Sequence, residues 1–256
     1  MTVQKQPLKL RIKAALFDVD GTIINSQGAI TAFWFDFAKD KPYMNGQEVM
    51  DATHGWRTFD AIAKFAPDFA KEEYVLQLEE EIPDKFGDKV KEIPGSIKLV
   101  NSILDLSRVG GADKEKLAVV TSGTWGMAHK WFDILGLQRP KSFITAESVQ
   151  NGKPHPEPYL LGRSTLGYEA TPNSKDTVVV FEDAPAGIKA GKAADCFVIG
   201  IASTFDKDTV QSFGPDVVVP DLRGVEVSGY DAAEDEFTLT INEYSYVSER
   251  LLAATV

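Results

Sequence analysis

Two aspartates follow a short apolar segment near the start of the chain. Residues 14–17 are apolar, and Asp18 and Asp20 come directly afterwards, just before Gly21. Apolar runs of this length that end at a turn residue are typical of buried strands in an α/β sheet. Because alternate strand residues point to the same side, we expect both carboxylates to face the same way. Two such carboxylates need a cation or a shared proton, so the segment indicates either a cation site or a solvated turn.

Three further groups of polar residues come after predicted strands. They are Thr121 with Ser122, Lys153, and Glu182 with Asp183. The carboxyl ends of parallel strands share one edge of a sheet, so we expect these groups to meet the two aspartates in one crevice. Taken singly, each group has a plainer interpretation as a strand-end hydroxyl, a surface lysine or a helix N-cap.

An acidic cluster combined with a hydroxyl and a lysine suits phosphoryl transfer. Carboxylate oxygens are the ligands of a hard cation, here Mg²⁺, which also holds a substrate phosphate. One aspartate can attack phosphorus and form an aspartyl-phosphate, while a second protonates the leaving oxygen and then activates water. Lys153, Thr121 and free backbone N–H groups suit the phosphate oxygens, and the lysine, the hydroxyl and the metal would stabilise the transferring group.

Composition excludes several classes of function. The chain has 256 residues and a net charge of −11, which argues against a nucleic-acid or anionic-membrane partner. No apolar run is long enough to span a membrane, and the first residues lack the apolar segment of a signal peptide. Cys196 is the one cysteine, so we expect no disulfide within the chain and a cytoplasmic location. We also expect a monomer.

The apolar pattern predicts an α/β core with a helical insert. Helices are predicted over 26–39 (capped by Ser26), 46–53, 58–65 and 71–81 (ending before Pro83), with a turn at 23–26 and no strand from 26 to 91. Beyond Pro94, helices alternate with strands over 117–121, 143–145, 177–181, 197–201 and 217–219. This alternation indicates a doubly wound parallel sheet. The tail predicts a hairpin of 225–227 with 237–241, then a helix over 246–252.

The polar motifs resemble those of the haloacid dehalogenase-like superfamily. They are Asp-Val-Asp-Gly-Thr (18–22), Val-Thr-Ser-Gly (120–123), Gly-Lys-Pro-His-Pro (152–156) and Phe-Glu-Asp-Ala-Pro-Ala-Gly-Ile (181–188). The resemblance implies a Rossmann-like core at 1–25 and 92–256, with a helical cap at 26–91. It implies Asp18 as nucleophile and Asp20 as general acid and base. It also implies Mg²⁺ bound by Asp18, the Asp20 carbonyl and Asp183, with assistance from Glu182.

Other segments resemble the fungal glycerol-phosphate phosphatases. They are His-Gly-Trp-Arg-Thr (54–58), Ala-Lys-Phe-Ala-Pro-Asp-Phe-Ala (63–70), Thr-Ser-Gly-Thr (121–124), Phe-Trp (33–34) and Lys-Asp-Lys-Pro-Tyr (39–43), although the loop at 107–114 is longer than that pattern. This resemblance implies Mg²⁺-dependent hydrolysis of glycerol phosphate and a role in osmotic stress. The 2-deoxyglucose-6-phosphate phosphatases share His-Gly-x-Arg-Thr, so a sugar-phosphate phosphatase is an alternative. A phosphomutase and a catalytically idle phosphate-binding protein are further alternatives.

The cap is expected to select the substrate. A lid over the crevice excludes water and contacts the alcohol that leaves with oxygen. Arg57 is the candidate for reaching the substrate, although it could equally be a surface arginine at a helix start. His54 is a weaker candidate that we interpret first as a packing residue.

Overall fold

The computed structural model describes residues 6–109, 115–170 and 177–255, so part of the loop at 107–114 lies outside the described residues. The strands are β1 (Leu8–Ile12), β2 (Ala14–Phe17), β3 (Ile24–Asn25), β4 (Lys91–Glu92), β5 (Leu117–Val120), β6 (Ser142–Ile144), β7 (Val178–Glu182), β8 (Phe197–Ile201), β9 (Val217–Val219), β10 (Val225–Asp231), β11 (Glu236–Ile241) and β12 (Tyr246–Val247). The helices are α1 (Gln27–Ala38), α2 (Gly46–Thr53), α3 (Thr58–Phe65), α4 (Glu72–Phe86), α5 (Ser96–Val109), α6 (Trp125–Ile134), α7 (Glu157–Thr165), α8 (Pro185–Ala193), α9 (Lys207–Ser212) and α10 (Glu249–Leu252).

The central sheet is doubly wound, as predicted. Within the described residues its strand order is β12-β9-β8-β7-β2-β5-β6, and every neighbouring pair is parallel except β12 with β9. From β2 the chain builds outward through β5 and β6, then crosses back to β7 on the other side of β2. The strand order therefore reverses at β2, and its carboxyl end opens on the crevice where ligands bind in sheets of this type.

Apolar side chains cover both faces of this sheet. Ala15 and Phe17 of β2 pack into one cluster of buried residues, whereas Ala14 and Leu16 pack into another on the opposite face. The rings of Phe17 and Phe181, on adjacent strands, stack with their centroids 4.2 Å apart. Burial on both faces explains why these strands are continuous apolar runs, and it fixes where each strand ends.

Helices α1–α4 lie in the chain between β3 and β4, which form a two-residue antiparallel pair. Phe33, Trp34 and Phe37 are buried on α1 and contact one another. The prediction of a turn at 23–26 and of no strand up to residue 91 was wrong, because Ile24–Asn25 pairs with Lys91–Glu92. Strands of two residues are too short to show a periodic pattern.

The predicted end of the fourth helix was also wrong. Helix α4 continues through Pro83 to Phe86, five residues beyond the predicted end at Glu81. Proline removes one backbone hydrogen bond from a helix. Here Ile82 and Pro83 are both buried, so we attribute the continuation to the packing of that face.

Strand β1 and the tail differ from the sequence prediction as well. β1 was not predicted, yet it forms a three-stranded antiparallel sheet with the predicted hairpin β10–β11. The predicted helix over 246–252 divides into β12, which pairs with the edge strand β9, and the short α10, capped by Ser248. Helix α9 was missed because it is only six residues long. Among the described residues, no helix has both the length and the apolar character needed to cross a membrane.

Candidate active site

Lys153 joins the ends of three strands. Its ammonium donates hydrogen bonds to Asp18 Oδ1 (2.6 Å), Glu182 Oε1 (2.8 Å) and the carbonyl of Val120 (3.0 Å). The three charged side chains are all buried. Burial works to lower the pKa of Lys153, but the charges of Asp18 and Glu182 raise it above its usual value, so the lysine stays positive. The strand-end positions of these residues therefore do converge, as predicted.

Glu182 is held on every side. Its Oε1 also accepts a hydrogen bond from the hydroxyl of Tyr159 (2.8 Å), and its Oε2 accepts from the backbone N–H groups of Asp183 and Ala184 (3.0 Å each). Each carboxylate oxygen thus takes two hydrogen bonds, which uses the ordinary acceptor capacity of the group. In this arrangement Glu182 fixes the position of Lys153.

Asp183 has the open acceptor of the cluster. Its Oδ2 accepts from the Thr204 hydroxyl, whereas its buried Oδ1 has no hydrogen-bond partner among the described residues. Asp18, Glu182 and Asp183 each offer an oxygen within 4.8 Å of the others. Burial raises the pKa of Asp18 to about 7, although the charge of Lys153 opposes the rise. Burial and the charges of Glu182 and Asp18 raise the pKa of Asp183 well above its usual value. A small hard cation with oxygen ligands fits this donor set.

Asp20 faces the cavity beside this cluster. Its Oδ1 accepts a hydrogen bond from the Ser26 hydroxyl at 2.5 Å. The prediction that Ser26 caps α1 with its side chain was wrong, because the hydroxyl makes this bond and no capping bond. Burial raises the pKa of Asp20, which suits a group that must hold and release a proton.

Thr121 and Ser122 lie at the end of β5 next to the carboxylates. Thr121 is buried, and its hydroxyl oxygen accepts a hydrogen bond from the backbone N–H of Gly123 (3.0 Å). The Ser122 hydroxyl donates to the carbonyl of Gly55 (2.8 Å), in the connection between α2 and α3. Ser122 therefore links the sheet to the helical insert at the mouth of the site.

The helical insert closes one side of a cavity above Asp18 and Asp20. The cavity has a volume of about 110 Å³. Ser122 and Gly123 line it from the sheet, and Trp34, Met50 and Glu79 are among the residues that line it from the insert. Pockets for drug-sized ligands measure roughly 300–1,000 Å³, so this one suits a small molecule.

The sequence profile of the haloacid dehalogenase-like hydrolase family matches residues 15–201. The chain belongs to this family. It is 57% identical to glycerol-1-phosphate phosphohydrolase 2 of Saccharomyces cerevisiae over 98% of this chain and 99% of that protein. It is 37% identical to the same yeast's 2-deoxyglucose-6-phosphate phosphatase 2, over 84% of this chain and 90% of that protein. A Pseudomonas syringae hydrolase of known structure shares the fold, with a TM-score of 0.66 and 19% identity over 82% of this chain and 94% of its own.

The structure of this haloacid dehalogenase-like hydrolase does not bring Arg57 to the carboxylates. The Arg57 guanidinium donates two hydrogen bonds to Asp60 (2.8 and 2.9 Å) and one to the carbonyl of Val149 (3.2 Å). It lines a neighbouring cavity and not the one above Asp18. His54 does line the site cavity, and its ring packs against Phe205 with the centroids 5.0 Å apart.

Three polar side chains of the hydrolase's site were not predicted. Thr204 contacts Asp183, Tyr159 contacts Glu182, and Glu79 reaches the cavity from α4. Tyr159 lies on α7 and Glu79 lies on α4. The sequence patterns of these helices indicate a buried face or a charged face, but not which side chain reaches the site. Their roles depend on how those helices pack, which a local pattern does not encode.

Proposed function

We propose that this hydrolase removes phosphate from glycerol phosphate, either glycerol 1-phosphate or glycerol 3-phosphate. The observation that carries the proposal is the identity of 57%, over nearly the whole of both chains, to a protein named for that activity. Identity to the protein named for 2-deoxyglucose 6-phosphate is lower, at 37%.

Mg²⁺ is the cofactor that we propose. Asp18, Asp183 and the backbone carbonyl of Asp20 would hold it. Glu182 was a further candidate and lies within reach, but its four hydrogen bonds favour a role in positioning Lys153 over direct metal binding. The buried Asp183 Oδ1, for which the described part of the chain provides no hydrogen-bond partner, supports this assignment. When bound, the ion would neutralise the carboxylates and the substrate phosphate.

The chain's own residues can perform hydrolysis in two steps. An Asp18 oxygen attacks phosphorus, so that an aspartyl-phosphate bond forms and the bond to the alcohol oxygen breaks. Protonated Asp20 gives its proton to that oxygen, and the alcohol leaves. Asp20 then takes a proton from water, whose oxygen attacks phosphorus and releases phosphate from Asp18. Lys153, fixed by Glu182, stabilises the charge beside Asp18, while Thr121 and Ser122 lie at the edge where phosphate would bind.

We also propose that residues 26–91 act as a cap on a core formed by residues 1–25 and 92–256. Support comes from the bonds that cross between the two parts. Ser122 bonds to Gly55, and Arg57 bonds to the carbonyl of Val149. A closed cap would exclude bulk water until the alcohol has left. The predicted cytoplasmic location, monomeric state and role in osmotic stress stay predictions.

Phosphate release tests the proposal directly. We expect release from glycerol 3-phosphate with Mg²⁺ at a kcat/KM at least about tenfold above that for 2-deoxyglucose 6-phosphate. Release should stop with a chelator and return with added Mg²⁺. Asp18→Asn is the blank, and its circular dichroism should match that of the parent protein.

Other outcomes separate the alternatives. A preference for the sugar phosphate would retain the chemistry and reject the glycerol assignment. Transfer of phosphate between sugar positions without release would indicate a phosphomutase. Equal release by Asp18→Asn and the parent protein would reject Asp18 as the nucleophile.

A further inference from the structure

Glu79 is a buried acid on a helix whose other face is charged and exposed. Helix α4 carries Glu79, which is 1% exposed, directly before Glu80, which is exposed to solvent. The Glu79 carboxyl lines the same cavity as Asp18 and Asp20, but it comes from the helical insert. Glutamate is almost never fully buried unless a partner stabilises it. Its presence here therefore calls for an explanation in terms of its contacts.

The partners of Glu79 fix its orientation without supplying a cation. Oε2 accepts a hydrogen bond of 2.6 Å from the backbone N–H of Thr124, at the start of α6. The carboxyl also interacts with the hydroxyl side chain of Thr58, and none of the ion pairs found among the described residues includes Glu79. These contacts leave part of the acceptor capacity of the Glu79 carboxyl unused.

The remaining wall of the cavity on the insert side combines apolar and polar side chains. Ile30, Trp34 and Met50 are among the apolar ones, and Gln27 and His54 are among the polar ones. An alcohol that carries hydroxyl groups loses its bonds to water when it enters such a space. Without replacement partners in the protein, each buried hydroxyl would carry a desolvation cost.

We propose that Glu79 is a specificity-determining residue that hydrogen-bonds the free hydroxyls of the alcohol part of the substrate. The inference rests on the proposed function and deepens it. Asp18 and Asp20 line the part of the cavity where the phosphate would bind. Glu79 lines the same cavity from the helical insert. A carboxyl group held by Thr124 and Thr58 retains acceptor capacity for a hydroxyl of the substrate, and sites built to bind a hydroxyl reject analogues that lack it.

The test compares two substrates that differ only in hydroxyls. Glycerol 3-phosphate and n-propyl phosphate have the same carbon chain, so the ratio of their kcat/KM values measures hydroxyl recognition. Glu79→Leu should lower this ratio by about 10–100-fold, as expected when a buried hydroxyl of the substrate loses its hydrogen-bond partner. Glu79→Gln retains an acceptor for Thr124 and should lower the ratio less. Glu80→Gln, on the exposed side of the same helix, should leave the ratio unchanged.

The outcomes separate this inference from the proposed function. An equal fall in kcat/KM on both substrates, with the ratio preserved in both Glu79 variants, would assign Glu79 a structural role and overturn the inference. If Glu79→Leu does not fold, the ratio in Glu79→Gln decides. Failure of the unmodified protein to release phosphate from glycerol 3-phosphate would instead reject the proposed function, whatever the variants do.

Discussion

At the scale of single residues, the site depends on how Glu182 is held. Lys153, Tyr159 and two backbone N–H groups share its two oxygens. A buried carboxylate with four donors is stable because its lost hydration is replaced completely. The same contacts leave the Lys153 ammonium in a single position against Asp18.

Tyr159→Phe removes one of these four donors and little else. The side chain is fully buried, so the ring will still fill its space while Glu182 Oε1 loses a bond. We expect the free energy of unfolding to fall by about 1–3 kcal/mol, the cost of an unsatisfied buried acceptor. Urea unfolding measures this change. Tyr43→Phe is the matched control, because Tyr43 is 64% exposed and its loss of a hydroxyl should change little. Equal stability of the two variants would contradict this account of Glu182.

The sequence predicts those site residues whose positions follow from the order of the strands in the sheet. Asp18, Lys153 and Asp183 meet because parallel strands end at one edge, and the sequence shows where those strands end. Tyr159 and Glu79 could not be predicted, because each reaches the site from the packed face of a helix. The sequence pattern of α4 indicates a charged helix, and only the three-dimensional packing shows which of its acids is buried.

At the scale of elements, the turn after β2 determines the distance between the first and last motifs. Gly21 has a φ of +87°, and a Cβ atom at this position would lie 2.0 Å from Asp183 Oδ2. The backbone of this turn therefore passes against the carboxylate of another strand. Only glycine permits both the conformation and the approach.

Gly21→Ala should disturb the site as well as the turn. We expect a loss of stability beyond the roughly 1–2 kcal/mol that alanine costs in a left-handed conformation, because Asp183 must move as well. Phosphate release should fall at least about tenfold if Asp183 binds the metal. Gly214→Ala is the matched control, since Gly214 has a φ of +83° and no atom of the described residues lies within 4 Å of the added Cβ. It should show the backbone cost in urea unfolding and normal phosphate release. Identical effects in both variants would rule out a specific contact at Gly21.

The long, buried strands could be predicted from the sequence, whereas the short strands could not. Apart from Glu182 at the end of β7, the parallel strands beside β2 are apolar because both faces are covered, so their sequences are recognisable alone. Strands β3, β4 and β12 have two residues each. They form because a partner strand lies beside each of them. β1 does alternate in sequence, but its partner β11 is more than 200 residues away. Pairing at that distance is a property of the fold and not of the local segment.

At the scale of the whole molecule, the helical insert and the sheet meet through polar contacts as well as apolar ones. Glu79 bonds to the N–H of Thr124, and the Lys130 ammonium bonds to the carbonyl of Glu80 and to Asp84. Lys130 is partly exposed and Asp84 is exposed, so their ion pair adds little to stability. The hydrogen bond between Glu79 and Thr124 is buried. We therefore expect the protonation state of Glu79 to affect the free energy of unfolding more than the exposed ion pair does.

Stability should depend on pH through Glu79. Burial raises its pKa from 4.5 to about 7, so the folded protein holds this proton more tightly than the unfolded chain does. The stabilisation is complete below about pH 4.5 and is lost as the pH rises through about 7. Between pH 5 and pH 8 the free energy of unfolding of the parent protein should fall by on the order of 2 kcal/mol relative to that of Glu79→Gln, which has no proton to release.

Urea unfolding of both proteins at the two pH values measures this difference. The effects of the other titrating groups cancel in the comparison, because both proteins contain those groups. Glu80→Gln, which removes an exposed charge one residue away, should follow the parent protein. The same pH dependence in all three proteins would show that Glu79 is not buried in its neutral form where the insert meets the core.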